Sequence, residues 1–179
     1  MLGNGWDPAT IYEPIDMNSD GSMDFTFSAN AGISIGFRPK ESNRYLIIPS
    51  PPPNIGGPVA AVTVGFDIGS DSGAGNLDWF GLSTSSSLLM LELSTGTAGN
   101  FWDTRGYIGV EFEAFDGLHY GWFDVKGHYA YPYVQVYGWA YESTPNTSII
   151  AGAVPEPASA ILFLIGVVGA WTLRKRKNR

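Results

Sequence analysis

The sequence has no cysteine, and its 179 residues include only two histidines. The lack of cysteine excludes a disulfide framework, a thiol nucleophile and a thiolate metal site. His119 and His128 are too few for a three-histidine zinc site. The chain also has no Ser-His-Asp order, nucleophile elbow or phosphate-binding loop, so we do not expect an enzyme.

Positive charge is scarce until the end of the chain. Five of the ten Lys and Arg residues follow residue 173, which leaves five in the rest of the chain, against sixteen Asp and Glu before Glu156. A net charge near −11 in that part repels nucleic acid, anionic lipid and acidic polysaccharide, unless a cation bridges the two. We therefore expect no nucleic-acid partner.

The last 26 residues contain the most specific pattern, a tripeptide followed by an uncharged apolar run over 158–173 and a basic end. The run makes a helix of about 24 Å, and basic side chains that snorkel can extend it across a hydrocarbon core of about 30 Å. The positive charge that follows places the end of the chain in the cytoplasm. The tripeptide is Pro155, Glu156 and Pro157, and the basic stop is Arg174, Lys175, Arg176, Lys177 and Arg179.

This order of Pro-Glu-Pro, short helix and basic end resembles the PEP-CTERM sorting signal of exported proteins in Gram-negative, exopolysaccharide-producing bacteria. The resemblance implies recognition by an exosortase, a membrane transpeptidase-like enzyme, and cleavage near the motif. It further implies a precursor anchored in the inner membrane that later reaches the periplasm, the cell surface or the extracellular matrix. The alternatives are an ordinary single-span anchor and a buried apolar helix, and the five cations disfavour the buried helix.

The beginning of the chain does not match this export prediction. Residues 1–10 have neither the basic nor the apolar region of a secretory signal peptide. An exported domain that precedes a C-terminal anchor needs such a signal. The sequence therefore predicts that the true start lies upstream.

The rest of the chain has the composition of a β protein, with 23 Gly, 12 Pro and 14% aromatic residues. Residues 107–115 alternate so that Ile108, Val110 and Phe112 share one strand face. The Asp116-Gly117 turn then leads into a returning strand over 118–126, and residues 133–141 alternate again. These segments predict a three-stranded antiparallel meander.

The predicted fold class is all-β, an antiparallel β-sandwich or jelly-roll-like domain followed by a single C-terminal transmembrane helix. The β domain covers residues 1–146, and a linker with the Pro-Glu-Pro motif covers 147–157. The transmembrane helix covers 158–173, and the basic cytoplasmic tail covers 174–179.

Glu111 and Glu113 share the second face of the 107–115 strand, where two carboxylates could resemble the acid and nucleophile of a glycosidase. Their spacing does not match the pattern of jelly-roll glycosidases. On an antiparallel sheet, carboxylates of this kind commonly face solvent. We therefore expect surface side chains.

Residues 16–24 fit the pattern D-x-N-x-D-G-x-x-D, in which oxygen atoms at alternate positions can surround a hard cation. The loop resembles the short calcium loops of integrin-like and thrombospondin-like repeats, but Phe27 replaces the bidentate Glu of an EF-hand. The alternative is an ion-free acidic turn between two strands. We predict a structural Ca²⁺ as the one cofactor. Its ligands would be Asp16, Asn18, Asp20, the Ser22 carbonyl and Asp24.

Aromatic residues recur on the last two strands of the meander and form a predicted aromatic row. Such rings can stack on sugars, or they can pack against each other inside a core. We therefore expect an exported, non-enzymatic protein of the cell envelope or biofilm matrix, or alternatively a carbohydrate-binding module or adhesin that contacts exopolysaccharide. Exposure of the row favours sugar binding, and burial favours the structural role. The row comprises Tyr120, Trp122, Tyr133, Tyr137, Trp139 and Tyr141.

Overall fold

A computed structural model of the chain describes residues 11–30, 34–50, 56–81, 87–93, 96–128 and 133–153. The sorting tripeptide, the apolar run and the basic stop lie outside the described residues, as do residues 1–10. None of the helices in the described part has the length and apolar character needed to cross a membrane.

The described residues form twelve β-strands and one short 3-10 helix, Ser70–Gly73. All strand pairs are antiparallel, which confirms the predicted all-β class. The strands are β1 Ile11–Ile15, β2 Phe25–Asn30, β3 Ser34–Pro39, β4 Arg44–Ile47, β5 Asp67–Ile68, β6 Asp78–Phe80, β7 Ser87–Leu93, β8 Gly96–Ala98, β9 Arg105–Ala114, β10 Gly117–His128, β11 Tyr133–Tyr141 and β12 Ile149–Ile150.

These strands make two five-stranded sheets and one two-stranded sheet. The first has the order β1-β2-β3-β7-β8, the second has the order β11-β10-β9-β4-β6, and β12 pairs with β5. The predicted meander is β9, β10 and β11. Its hairpin turn is one residue earlier than predicted, because Ala114 pairs with Gly117 and leaves Phe115 and Asp116 as the loop.

The main core lies between the two large sheets. Phe123 of β10 is fully buried, and its ring lies 5.7 Å from that of Phe25, 5.8 Å from that of Phe27 and 5.5 Å from that of Phe37. The apolar face predicted for β9 also packs into this core. The shared core of two facing sheets supports the sandwich form of the prediction.

A second core covers the opposite face of the meander, where the sequence predicts that Glu111 and Glu113 face solvent. That prediction is wrong for Glu111, which is only 2% exposed, whereas Glu113 is exposed. The layer that covers this face is made by Ala60 and Val62 together with β5 and β12. The buried residues of this second core are Leu46, Ala60, Val62, Ile68, Tyr120, Trp122, Ile149 and Ala151.

Part of that covering layer is irregular, although Val62, Val64 and Phe66 alternate in the sequence as they would in a continuous strand. The amide of Phe66 donates to the carbonyl of Thr63 at 3.2 Å, and Gly65 has φ +87°. This turn directs Val64 outward, 72% exposed, while Val62 remains buried. Only Asp67–Ile68 is a regular strand, β5.

The packed domain continues beyond the predicted boundary at residue 146. Strand β12 lies inside the predicted linker, and Ile149 and Ala151 are 4% and 0% exposed. The packed domain therefore extends at least to Ala151, because Ile149 pairs with Ile68 and closes the second core.

Candidate functional site

In the acidic loop at residues 16–24, side-chain oxygens accept hydrogen bonds from backbone amides of the same loop. The Asp16 carboxylate accepts hydrogen bonds from the amides of Asp20 at 3.2 Å and Gly21 at 2.8 Å. The Asn18 side-chain oxygen accepts a second bond from the Asp20 amide at 3.1 Å, and its amide group donates to Asp20 at 2.9 Å. Asp20 in turn accepts from the Ser22 amide at 2.7 Å. The structure thus brings Asp16, Asn18 and Asp20 together at one exposed turn.

Asp24, the fifth predicted calcium ligand, faces the interior instead. It is 4% exposed and accepts hydrogen bonds from the amide of Met17 at 2.8 Å and the side chain of Asn43 at 3.3 Å. Burial raises the pKa of Asp24, and the charges of Asp20 and Asp16 raise it further.

The pKa of Asp20 is lowered, first by its hydrogen bond from the Ser22 amide and then by Asn18. Within the part of the chain that the structure describes, no three His, Cys, Asp or Glu side chains are grouped closely enough to hold a metal ion. The calcium site therefore stays a prediction.

The predicted aromatic row is divided between the two faces of its sheet. Trp139 pairs with Phe123 and faces the main core, whereas Trp122 pairs with Ala140 and faces the second core. Tyr120 and Trp122 are buried, 3% and 6% exposed. The prediction of one aromatic surface is wrong, because residues directly opposite each other on paired strands share a face.

A β-bulge in β11 shifts the remaining aromatic residues. Asp124 pairs with Gly138 and Val125 with Val136, so Tyr137 is the extra residue. Tyr137 and Trp139 are 44% and 45% exposed.

The rings of the other two tyrosines of β11 pack against neighbouring aromatic side chains. Tyr133 stacks on His128 at 4.4 Å between ring centroids, and Tyr141 packs against Phe112 and His119. Within the predicted row, Tyr137 and Trp139 are therefore the side chains most exposed to solvent.

A salt bridge holds a cation over the ring of Tyr137. The guanidinium of Arg105 donates two hydrogen bonds to Asp124, at 2.8 Å and 2.6 Å, and its central carbon lies 4.0 Å from the Tyr137 ring centroid. The hydrogen bonds to Asp124 raise the pKa of Arg105. The result is a fixed polar and aromatic surface at the edge of the sheet.

A cavity of about 490 Å³ lies beside β4 and β6, at the other edge of the same sheet. Its lining includes Arg44, Asp78, Trp79 and Phe80. Arg44 forms an ion pair with the buried Glu111 of β9. Burial raises the pKa of Glu111, and the charge of Arg44 opposes that rise. The sequence pattern does not reveal this site, because its residues come from three separate segments.

The last described residues form a further feature, the C-terminal clasp, defined as residues 149–153. The Ala151 amide donates to Phe66 at 2.8 Å, and the Gly65 amide donates to the Ala151 carbonyl at 3.0 Å. The indole nitrogen of Trp122 donates to the Ala153 carbonyl at 3.0 Å. The sequence contains one signal for the clasp, the apolar pair at residues 149 and 150, but the predicted domain boundary at residue 146 leaves that pair in the linker.

Comparison with known proteins gives one match. The family model described as the PEP-CTERM protein-sorting motif matches residues 153–177. That range contains the whole Pro-Glu-Pro tripeptide, the apolar run and four of the five residues of the basic stop. No curated protein and no solved structure matches the chain.

Proposed function

We propose that this protein, which carries a PEP-CTERM sorting motif and is exported and sorted through it, becomes a non-enzymatic surface protein of the cell envelope or biofilm matrix. In this proposal an exosortase cleaves the chain near Pro155, Glu156 and Pro157. The β domain is then released from the inner membrane or transferred to the surface.

One observation carries the proposal: the matched motif, residues 153–177, begins directly after Ile149 and Ala151, two buried residues of the second core. All of the described strands precede it. Cleavage after Ala153 therefore removes none of the described residues of either core, and we expect the released domain to keep its fold. A sorting signal that can be removed without structural loss suits a protein whose mature form works elsewhere.

Two of the acid and base candidates, Glu111 and His119, are engaged in structural contacts, which supports a role without catalysis. The buried Glu111 is paired with the partly exposed Arg44. Both ring nitrogens of His119 contact acceptors, the Glu142 carbonyl at 2.7 Å and the Asp116 carboxylate at 2.9 Å.

The experiment measures intact mass and location of the chain, supplied with a signal peptide, in hosts with and without an exosortase. We expect a species shortened near residues 155–157 outside the inner membrane only when the exosortase is present. A control variant replaces the Pro-Glu-Pro tripeptide by alanines and should stay full-length. Full-length protein in the inner membrane of both hosts would refute the proposal.

The second candidate is a carbohydrate-binding module or adhesin for exopolysaccharide. The specific observation in its favour is the half-exposure of Tyr137 and Trp139, together with the Arg105 guanidinium held over the Tyr137 ring. An aromatic face next to fixed hydrogen-bonding groups can stack on a sugar ring and bind its hydroxyls.

Affinity electrophoresis in exopolysaccharide gels measures this binding. We expect Trp139→Ala to abolish retention, whereas Phe115→Ala, a control at a 98% exposed ring in the β9–β10 turn, should not change it. If the parent protein migrates alike with and without polysaccharide, the second candidate is excluded.

A further inference from the structure

The clasp fixes the point from which the sorting motif extends. Its last residue, Ala153, is hydrogen-bonded through its carbonyl to the indole of Trp122. Trp122 is itself held in place, because it is 6% exposed and packs edge-on against Tyr107 at 5.3 Å. Ala153 is therefore attached to the rigid meander sheet.

Few residues separate the clasp from the tripeptide. Pro155 follows Ala153 by two positions in the sequence and Pro157 by four. Enzymes that act on peptides commonly bind an extended segment of several residues. An extended segment that includes Pro155–Pro157 and several residues before it therefore also includes residues of the clasp.

We propose that the clasp is a gate for processing: residues 149–153 must leave β5 and Trp122 before the processing enzyme can bind the Pro-Glu-Pro segment. This inference rests on the proposed function, since it concerns access to the proposed cleavage. After cleavage the clasp closes again on the released domain, because residues 149–153 all precede the Pro-Glu-Pro tripeptide.

The structure of the clasp suits such opening. Its ladder with β5 has two residue pairs, Ile149 with Ile68 and Ile150 with Asp67. The two strands form a separate sheet, so their separation breaks no hydrogen bond within the two large sheets. Short terminal elements of this kind open at lower free energy than the core. When opening is fast, cleavage follows the population of the open form.

Neighbouring isoleucines provide a matched pair of variants. Ile149 is 4% exposed and packs in the second core, whereas Ile150 is 43% exposed. Removing the buried side chain should raise the open population roughly tenfold or more. In a pulse-chase measurement of the full chain in an exosortase host, we expect Ile149→Ala to be processed faster by about that factor and Ile150→Ala at nearly the parent rate.

A spacer tests the gate in a second way. Inserting about eight Gly and Ser residues between Ala153 and Val154 supplies an extended segment while the clasp stays closed. We expect this insertion to accelerate processing of the parent and to remove the difference between Ile149→Ala and the parent. Hydrogen exchange at the amides of Ala151 and Gly65 reports clasp opening independently of the enzyme.

The outcomes separate the two proposals. If the parent is not processed at all, the proposed function fails and the gate fails with it. If the parent is processed and the spacer leaves its rate unchanged, the gate alone is overturned. Equal rates for Ile149→Ala and the parent, with faster hydrogen exchange at Ala151 in the variant, overturn it as well.

Discussion

Replacing Arg44 by methionine should strongly destabilise the domain at neutral pH. Glu111 is 2% exposed, and its ion pair in the structure is with Arg44. Methionine keeps most of the apolar stem that packs against Gly81 but removes the positive charge. Breaking a fully buried ion pair costs about 3–5 kcal/mol, and because the Arg44 side chain is 45% exposed we expect the lower end of that range.

The loss should depend on pH in a defined direction. The pKa of Glu111 is already raised by burial, and removing Arg44 raises it further. An acid whose pKa is higher in the folded chain than in the unfolded chain binds its proton more readily when folded. The free energy of unfolding therefore falls as the pH rises from the unfolded pKa towards the folded pKa. The cost of Arg44→Met should therefore shrink as the pH falls, and little of it should remain below the unfolded pKa of about 4.3.

Urea unfolding followed by the fluorescence of the six tryptophans measures this free energy. The matched variants are Glu111→Gln and the double variant Arg44→Met/Glu111→Gln. We expect the double variant to regain at least about 2 kcal/mol over Arg44→Met, because no buried charge remains. A loss under about 1 kcal/mol at pH 7, or an equal loss at pH 4 and pH 7, would refute the reasoning.

Three further predictions concern separate parts of the domain. Phe123→Ala should lower the free energy of unfolding by about 3–5 kcal/mol, whereas Phe115→Ala should change it by less than about 0.5 kcal/mol, as measured in urea. Calcium should raise the melting temperature, and Asp16→Ala with Asp20→Ala should abolish that rise; a parent that shows no rise excludes the ion. Gly152→Ala should destabilise the clasp by about 1 kcal/mol or more, because Gly152 has φ +84° and an added Cβ would lie 3.0 Å from the Tyr107 hydroxyl and from Val64. Faster hydrogen exchange at Ala151 would report that change, and unchanged exchange would contradict it.

Local pattern was sufficient for the strands of the meander. The alternation in β9 predicts that Ile108, Val110 and Phe112 share a face, and all three lie in the main core. This works because successive side chains of a strand point to opposite faces whatever the strand packs against. The same local rule cannot say whether the second face is covered.

The burial of Glu111 shows that limit. Its covering layer comes from residues distant in sequence, and its two regular strands, β5 and β12, have two residues each. Such short strands give no periodic signal. The layer forms because pairing of Ile149 with Ile68 places apolar side chains over Trp122 and Tyr120.

The prediction of an aromatic row failed for a related reason. Alternation places Tyr133, Tyr137, Trp139 and Tyr141 on one face only if β11 is regular. The bulge at Tyr137 reverses the alternation along the strand and divides the tyrosines between two faces. Which residue becomes the extra one depends on the partner strand.

The sequence by itself determined that this protein is β-rich and that it carries a sorting signal, because a sorting motif is a linear order of residues that an enzyme and a membrane recognise directly. Only the tertiary structure decided that β12 belongs to the packed domain, which carboxylate is buried and which aromatic rings face water. Each of these depends on contacts between segments far apart in the chain. The C-terminal clasp combines both kinds of information, since a linear motif begins at a residue that long-range packing holds in place.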